Sequence, residues 1–170
     1  GIIARIEEYE KSCSAEQTDF YSAAKTCLLA VMQHSKSYSV LAARLAKEEC
    51  DDRRKKELLQ IAEICERVPA EPAQSFFEAV QSVHFVTYCL SMNPFRFCRQ
   101  QFQLGNPDRY LYPYYKNDIE KGIITKEAAQ TLLDCLGIQI NMRVPSGLSS
   151  GYMVGGRDEN GEIVANELTD

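Results

Sequence analysis

Four polar side chains that could orient a small molecule stand close together in the chain: Arg99, Gln100, Gln101 and Gln103. An amide donates and accepts hydrogen bonds at once, and a guanidinium offers a planar fork that matches a carboxylate. The alternation of a strand would send Gln101 and Gln103 to one face and Gln100 to the other. These residue types suit the orientation of a small polar substrate, whereas bond cleavage needs other groups.

The local pattern places these side chains at a junction between a strand and a helix. A strand is predicted over 101–104, followed by Gly105 and by a helix that begins at Asn106-Pro107-Asp108. Asn is a good N-cap, Pro is favoured at the first helical position, and Asp complements the helix dipole. Binding sites are often built at such junctions. The alternative is a structural corner packed by the tyrosines that come after it, up to Tyr115.

Other chemistry finds less support in the residues. His34 and His84 have no metal-ligating residue one helical turn away, so we predict no metal site and interpret His84 as a core histidine with a hydrogen-bonded ring. The glycines between 147 and 156 match neither the dinucleotide fingerprint nor the phosphate loop. Residues 158–162 resemble a calcium loop only superficially, because Gly161 is misplaced, and we predict a polar turn.

Composition bounds the class of protein. The chain has 170 residues, 45% of them hydrophobic and 25% charged, with a formal net charge of -5. This is typical of one globular domain, and the negative charge argues against nucleic acid as a partner. The seven cysteines form no CxxC pair, which indicates free thiols and a cytoplasmic location. The apolar segment 76–92 carries Glu78, Gln81 and His84, so it predicts a buried helix instead of a membrane span.

The elements that must position the polar stretch are mostly helices. The periodicity predicts a short first helix, a helix of about 30 residues over 14–49, and a third from Asp51 or Asp52 to before Pro69. The 76–92 helix is apolar on nearly all sides, so we expect it to be buried by most of the remaining elements or by parts of a longer protein. The aromatic helix ends at Lys121-Gly122, and Thr125 caps the next. A short strand over 152–155 and a hairpin tip at Asn160-Gly161 complete the prediction.

Several stretches together resemble the large N-terminal domain of the glycyl radical enzymes, the pyruvate formate-lyase-like family. Their order and spacing match along the whole chain, and they look most similar to the branch of dehydratases, C–N and C–S lyases and aryl-acetate decarboxylases. The matching stretches are Phe76-Phe-Glu-Ala-Val-Gln81, Leu104-Gly105, Asp108-Arg-Tyr-Leu-Tyr-Pro-Tyr-Tyr115, Asp118-Ile-Glu-Lys-Gly122, Thr125-Lys-Glu-Ala128, Val154-Gly-Gly-Arg-Asp158 and Asn166-Glu-Leu168.

The resemblance implies a fold and a mechanism. The fold is a ten-stranded α/β barrel, and residues 1–170 would be a single partial domain: mainly α with a few short β-strands, the outer helical portion and the first strands. In this family a backbone glycyl radical takes hydrogen from a cysteine, and the thiyl radical then abstracts hydrogen from the substrate. Such an enzyme acts without oxygen and needs an S-adenosylmethionine-dependent iron–sulfur activating partner.

The resemblance assigns neither catalytic element to a residue of this chain. The family's cysteine loop and its radical glycine both come after the Asn166-Glu-Leu168 segment, so none of the seven cysteines is taken as catalytic and the fragment alone is expected to be inactive. The implied partners are the remainder of the parent polypeptide, the activating enzyme and a small-molecule substrate, with a homodimer left open and neither nucleic acid nor membrane expected.

One departure from the family bears on the substrate. Polyol-dehydratase-like members carry a His and a Ser that contact substrate hydroxyls, and those positions fall on Gln100 and Gln101 here. We therefore expect a substrate other than glycerol or propanediol, positioned by Gln100 or Gln101 with a contribution from Arg99. The alternative function is a non-catalytic helical scaffold or interaction protein derived from this fold.

Overall fold

The computed structural model describes residues 1–92, 103–143 and 153–169. In these ranges the chain folds into six helices, which confirms the mainly α prediction. They are α1 (Ile2–Glu10), α2 (Ala15–Glu48), α3 (Asp52–Arg67), α4 (Phe76–Ser91), α5 (Pro107–Glu120) and α6 (Lys126–Arg143). None of the helices in the described ranges combines the length and the apolar character that crossing a membrane requires.

The expected strands are not found among the described residues. Of the two predicted strands, Gln103 forms only an isolated bridge, and Leu104 and residues 153–155 are not in strands. A strand exists only through its ladder to a neighbour. The bond from the Met153 amide to the Gly105 carbonyl (2.8 Å) joins the two stretches, whereas both backbone groups of Gly155 bind side chains. The predicted hairpin tip is present, because an antiparallel bridge joins Arg157 and Ile163 around Asn160-Gly161.

The chain divides into two compact units, Gly1–Glu71 and Pro72–Asp170. The first is organised along α2, whose 34 residues include no Gly or Pro. The Ser14 amide donates to Gln17 Oε1 (3.0 Å) at its start, as the predicted capping box requires. The Asp51 carboxylate caps α3 by accepting from the Arg54 amide (2.7 Å). The long second helix and the third helix are therefore confirmed.

Small side chains join α2 to α3. The buried residues of α2 recur at helical spacing and are all Ser or Ala, so the two helices can approach closely. Among them Ser35 Oγ lies 2.9 Å from the Cys65 carbonyl oxygen and 2.7 Å from that of Val68. Ser35 thus fixes the end of α3 against the middle of α2. The buried stripe of α2 comprises Ser35, Ser39, Ala42 and Ala46.

The second unit has a core built from α4, α5 and α6. Phe76 begins α4 and packs edge-to-face on Tyr115 of α5, with ring centroids 5.6 Å apart. Val86 and Leu90 of α4 are exposed, so the described residues of this chain do not cover this apolar helix on every side. The buried core residues are Phe76, Ala79, Val80, Leu111, Tyr115, Ala129, Leu136 and Ile140.

Candidate functional site

The three predicted substrate contacts, Arg99, Gln100 and Gln101, lie outside the described residues. Their neighbour Gln103 is described and exposed. The structure also describes three neighbouring parts of the chain: the turn at 103–106, the start of α5, and the segment 153–169 that lies against both. We treat these parts as the framework of the candidate site.

The start of α5 differs from a simple capped helix. Pro107 occupies the first turn as predicted, and the Asn106 carbonyl accepts from the Arg109 amide (3.1 Å). The Asn106 side chain does not cap the helix, and instead its Nδ2 donates to the Met153 carbonyl over a long 3.5 Å. Asp108, expected to complement the helix dipole, is only 2% exposed. Its carboxylate turns away from the helix to another segment.

Asp108 and Arg109 together hold Gly155, and we call this pair the Gly155 clamp. Asp108 Oδ2 accepts from the Gly155 amide at 2.6 Å. Arg109 Nη2 donates to the Gly155 carbonyl at 2.9 Å and to the Arg157 carbonyl at 3.3 Å. Both polar groups of one peptide residue are therefore bound by two adjacent side chains that carry opposite charges, and such charge-assisted bonds are stronger than neutral ones.

The clamped position requires glycine. Gly155 has a φ of +63° and Gly156 one of +84°, in the region that residues with a Cβ adopt at a cost. A Cβ on Gly155 would also lie 3.1 Å from Thr169 Cγ2. The glycine pair in the family motif is thus explained by backbone conformation and close packing.

A turn at 166–169 closes on the same aspartate. Asn166 Nδ2 donates to the Asp108 carbonyl at 2.9 Å, and Thr169 Oγ1 donates to Asp108 Oδ2 at 2.9 Å. The turn is held internally, because Thr169 Oγ1 accepts from the Asn166 amide and Asn166 Oδ1 accepts from the Leu168 amide. Asp108 therefore fastens two separate parts of the 153–169 segment to α5. These bonds go to backbone and hydroxyl groups, which suits positioning of the chain.

Charged and titratable groups surround this framework. Burial raises the pKa of Tyr115, and so does the hydrogen bond from its hydroxyl to Glu167 Oε2 (3.1 Å). The pKa of Asp158 is lowered, chiefly because its carboxylate accepts from the Glu162 amide. Asp158 also accepts from the Asn160 amide (2.9 Å), so residues 158–162 form the predicted polar turn. Within the described ranges no group of three or more His, Cys, Asp or Glu residues could hold a metal ion.

A cavity of about 160 Å³ lies beside the clamp. Its walls come from the start of α5, from α6 and from the 153–169 segment, and they are mostly aliphatic. Asp108 contributes its charged side chain to this lining, while Gly137 of α6 leaves open space there. The aliphatic lining residues are Leu104, Leu111, Leu133, Leu136, Ile140, Val154 and Leu168.

His84 lies apart from the clamp, toward the end of α4. It is half-buried, and its pKa is lowered first by burial and then by the positive charge of Arg143. Arg143 of α6 stacks over the Tyr88 ring, 5.1 Å from its centroid, and donates to Gln139 Oε1 (3.2 Å). The prediction of a core histidine is met only in part, because the side chain is half-buried. Six cysteines fall in the described ranges, and all are free thiols, as predicted.

Sequence reasoning missed the clamp because its partners are far apart in the chain. Asp108 and Gly155 are separated by 47 positions, and local spacing says nothing about such a contact. The signal that was available is the Gly155-Gly156 pair, since adjacent glycines often mark positive φ or close approach of backbone.

Comparison with known proteins gives a consistent result. The family model described as "Pyruvate formate lyase-like" matches residues 1–170. The isethionate sulfite-lyase of Desulfovibrio desulfuricans is 33% identical over 180 residues, which cover 98% of this chain and 21% of the relative. The trans-4-hydroxy-L-proline dehydratase of Clostridioides difficile is 37% identical over 108 residues, covering 62% of this chain and 13% of the relative.

Solved structures of related proteins also resemble the chain. A glycyl radical enzyme from Archaeoglobus fulgidus superposes with a TM-score of 0.82 at 38% identity, over 98% of this chain and 23% of its own. The hydroxyproline dehydratase of Clostridioides difficile gives a TM-score of 0.77 at 27% identity, over 98% and 23%. The chain thus spans less than a quarter of the length of these proteins.

Proposed function

The chain belongs to the pyruvate formate lyase-like family, and on that basis we propose that it forms part of a glycyl radical enzyme that cleaves a C–C, C–O, C–N or C–S bond in a small polar substrate. The observation that carries the proposal is the match over residues 1–170. The Gly155 clamp supports it, because it joins the Asp108-Arg109 motif to the Val154-Gly-Gly-Arg-Asp158 and Asn166-Glu-Leu168 motifs in one hydrogen-bonded unit. Three stretches that resemble the family separately therefore form one structural feature.

We assign substrate contact to Gln100 and Gln101, with Arg99 as a further contact. The names of several relatives specify isethionate, trans-4-hydroxy-L-proline and (2S)-3-sulfopropanediol as the compounds on which they act. Each of these compounds carries a sulfonate or a carboxylate. A guanidinium binds such oxyanions through paired donors, and amides complete the contacts. The substrate class for this chain is therefore a small polar molecule with an oxyanion group.

The reaction itself belongs to the whole protein. The radical glycine and the cysteine that it oxidises are placed in the parent polypeptide outside this chain, and an activating enzyme that uses S-adenosylmethionine and an iron–sulfur cluster generates the radical. The 170-residue chain alone is inactive in this account, and the location is the cytoplasm of a cell that lives without oxygen. The residues of this chain bind and orient the substrate and keep water from it.

The test is anaerobic turnover by the activated whole protein with isethionate, trans-4-hydroxy-L-proline and (2S)-3-sulfopropanediol. The double variant Gln100→His with Gln101→Ser should change the preference among these compounds while the radical yield per protein is kept. Arg99→Gln should raise KM by about tenfold or more, as loss of a charge-assisted contact does. Kinetic constants that stay the same for all compounds would remove these residues from the site.

A further inference from the structure

We propose that Asp108 and Arg109 are positioning residues of this enzyme, which set the turn at 103–106 through the Gly155 clamp. The inference rests on the proposed function, since that turn comes directly after the residues assigned to the substrate. Neither side chain is assigned a contact with substrate. Their effect passes through the backbone that they hold.

The turn and the clamped segment lie side by side over several residues. The Met153 amide donates to the Gly105 carbonyl at 2.8 Å, and the Asn106 side chain reaches the Met153 carbonyl. Two residues further along each stretch, Asp108 and Arg109 bind Gly155. Contacts therefore run in order from 105–109 on one stretch to 153–157 on the other, so a shift of Gly155 would be transmitted to the turn.

The clamp connects this turn to the core of the second unit through α5. Asp108 and Arg109 stand in the first turn of α5, and the same helix carries the buried core residues Leu111 and Tyr115. Asp108 is itself 2% exposed, so its bonds to Gly155 and Thr169 compete with little water and are correspondingly strong. Gly155 also packs closely on Thr169, because a Cβ at this position would lie 3.1 Å from Thr169 Cγ2.

Positioning of this kind has a large kinetic effect for a small displacement. Misplacement of a reacting group by about 1 Å can cost about a hundredfold in rate. Loosening the clamp should therefore lower kcat/KM without removing any group that touches substrate. A purely structural role would lower the amount of folded protein and would leave the kinetics of the folded fraction intact.

Asp118 provides a matched control within the same helix. It is 1% exposed, and its Oδ2 accepts from the Phe76 amide at 2.7 Å. It has the same side chain and the same burial as Asp108, and it holds distant backbone in the same way. However, its carboxylate binds the start of α4 and the adjacent Asn117 side chain (Nδ2 to Oδ1, 3.0 Å), and among the described residues it has no bond to 103–106 or 153–157. Asp118→Asn should destabilise the protein without altering the turn.

The experiment compares Asp108→Asn, Thr169→Val and Asp118→Asn in the activated whole protein. Radical content, KM and kcat are measured for whichever of isethionate, trans-4-hydroxy-L-proline and (2S)-3-sulfopropanediol the unaltered protein converts. We expect Asp108→Asn to lower kcat/KM per radical by about tenfold or more, and Asp118→Asn to leave it within about twofold. Thr169→Val removes one donor to Asp108 and the acceptor of the Asn166 amide, while it leaves the Asp108 carboxylate in place. Its effect should fall between those of the two aspartate variants, which keeps the test open if Asp108→Asn folds poorly.

Amide hydrogen exchange in the whole protein supplies the structural readout. Asp108→Asn should accelerate exchange at Met153 and Gly155, whereas Asp118→Asn should not. An equal loss of kcat/KM in both aspartate variants, or no loss in Asp108→Asn and Thr169→Val, would overturn the positioning role alone. Absence of turnover with all three compounds in the unaltered, radical-bearing protein would instead refute the proposed substrate class, and the inference would fall with it.

Discussion

Two aspartates of α5 show how a single carboxylate can organise distant parts of the chain. Asp118 accepts from the Phe76 amide, one of the N–H groups that the first turn of α4 leaves unpaired. Asp108 accepts from Gly155 and Thr169. One helix thereby fixes the start of α4 near its C-terminal end and the 153–169 segment near its N-terminal end. Burial of these carboxylates is offset by the donors that they accept from, which for Asp108 both bind Oδ2.

His84 gives the protein a pH dependence at the residue scale. Its pKa is lowered in the folded state by burial and by Arg143, so near and below the usual value of 6.5 the unfolded chain binds more protons than the folded one. Stability should therefore fall as the pH falls through about 6.5, until the folded-state group is protonated as well. Urea denaturation followed by circular dichroism should show a shallower pH slope in His84→Gln. Parallel slopes for the two proteins would contradict this assignment.

Gly137 and Gly122 allow the effect of backbone conformation on stability to be measured without an effect of packing. A Cβ at either position meets no heavy atom within 4 Å, so alanine introduces no clash at either. Gly137 lies inside α6, where Gly→Ala should stabilise by about 1 kcal/mol. Gly122 has a φ of +67° beyond the end of α5, and Gly122→Ala should destabilise by about 1 kcal/mol. Denaturation midpoints that move in the same direction would contradict the assigned backbone conformations.

At the scale of elements, the small buried side chains of α2 set its distance from α3. Ala42 is 5% exposed on that stripe, while Val40 on the same helix is 70% exposed. Ala42→Leu should destabilise the Gly1–Glu71 unit by about 1–3 kcal/mol, because the added carbons have no space between the helices. Val40→Leu creates the same side chain on the exposed side, where it meets no packing limit, and should change stability by less than about 0.5 kcal/mol. Equal effects in urea denaturation would show that the stripe does not set the packing.

The elements themselves were largely predictable from sequence, since their limits depend on local chemistry. Ser14, Asp51, Pro107 and Gly122 marked where helices begin or end, and the structure confirms those limits. The clamp, and the lack of the expected strands among the described residues, could not be predicted in the same way. Strand pairing and the clamp each depend on a partner far along the chain. The sequence indicated Asp108 only as a helix-dipole residue, and the burial that redirects its carboxylate comes from tertiary packing. The substrate contacts at 99–101 stay a prediction.

At the scale of the whole molecule, the chain is less than a quarter as long as its relatives, and it exposes large apolar side chains. Leu90 of α4 and Ile138 and Met142 of α6 are among them. Produced alone, the 170-residue chain should self-associate, because apolar surface of this kind seeks a partner. Size-exclusion chromatography with light scattering checks this expectation. A monomer that unfolds cooperatively would favour the helical scaffold as the function of this fold.

The most direct test of the central proposal is electron paramagnetic resonance of the whole protein, reconstituted without oxygen with its activating enzyme and S-adenosylmethionine. We expect a glycyl radical signal that disappears when the radical glycine of the parent polypeptide is replaced by alanine, and that persists in Asp108→Asn and in the Gln100→His, Gln101→Ser variant. Isethionate sulfite-lyase activated in parallel serves as the positive control. No radical in this protein, under conditions that activate the control, would contradict its assignment as a glycyl radical enzyme.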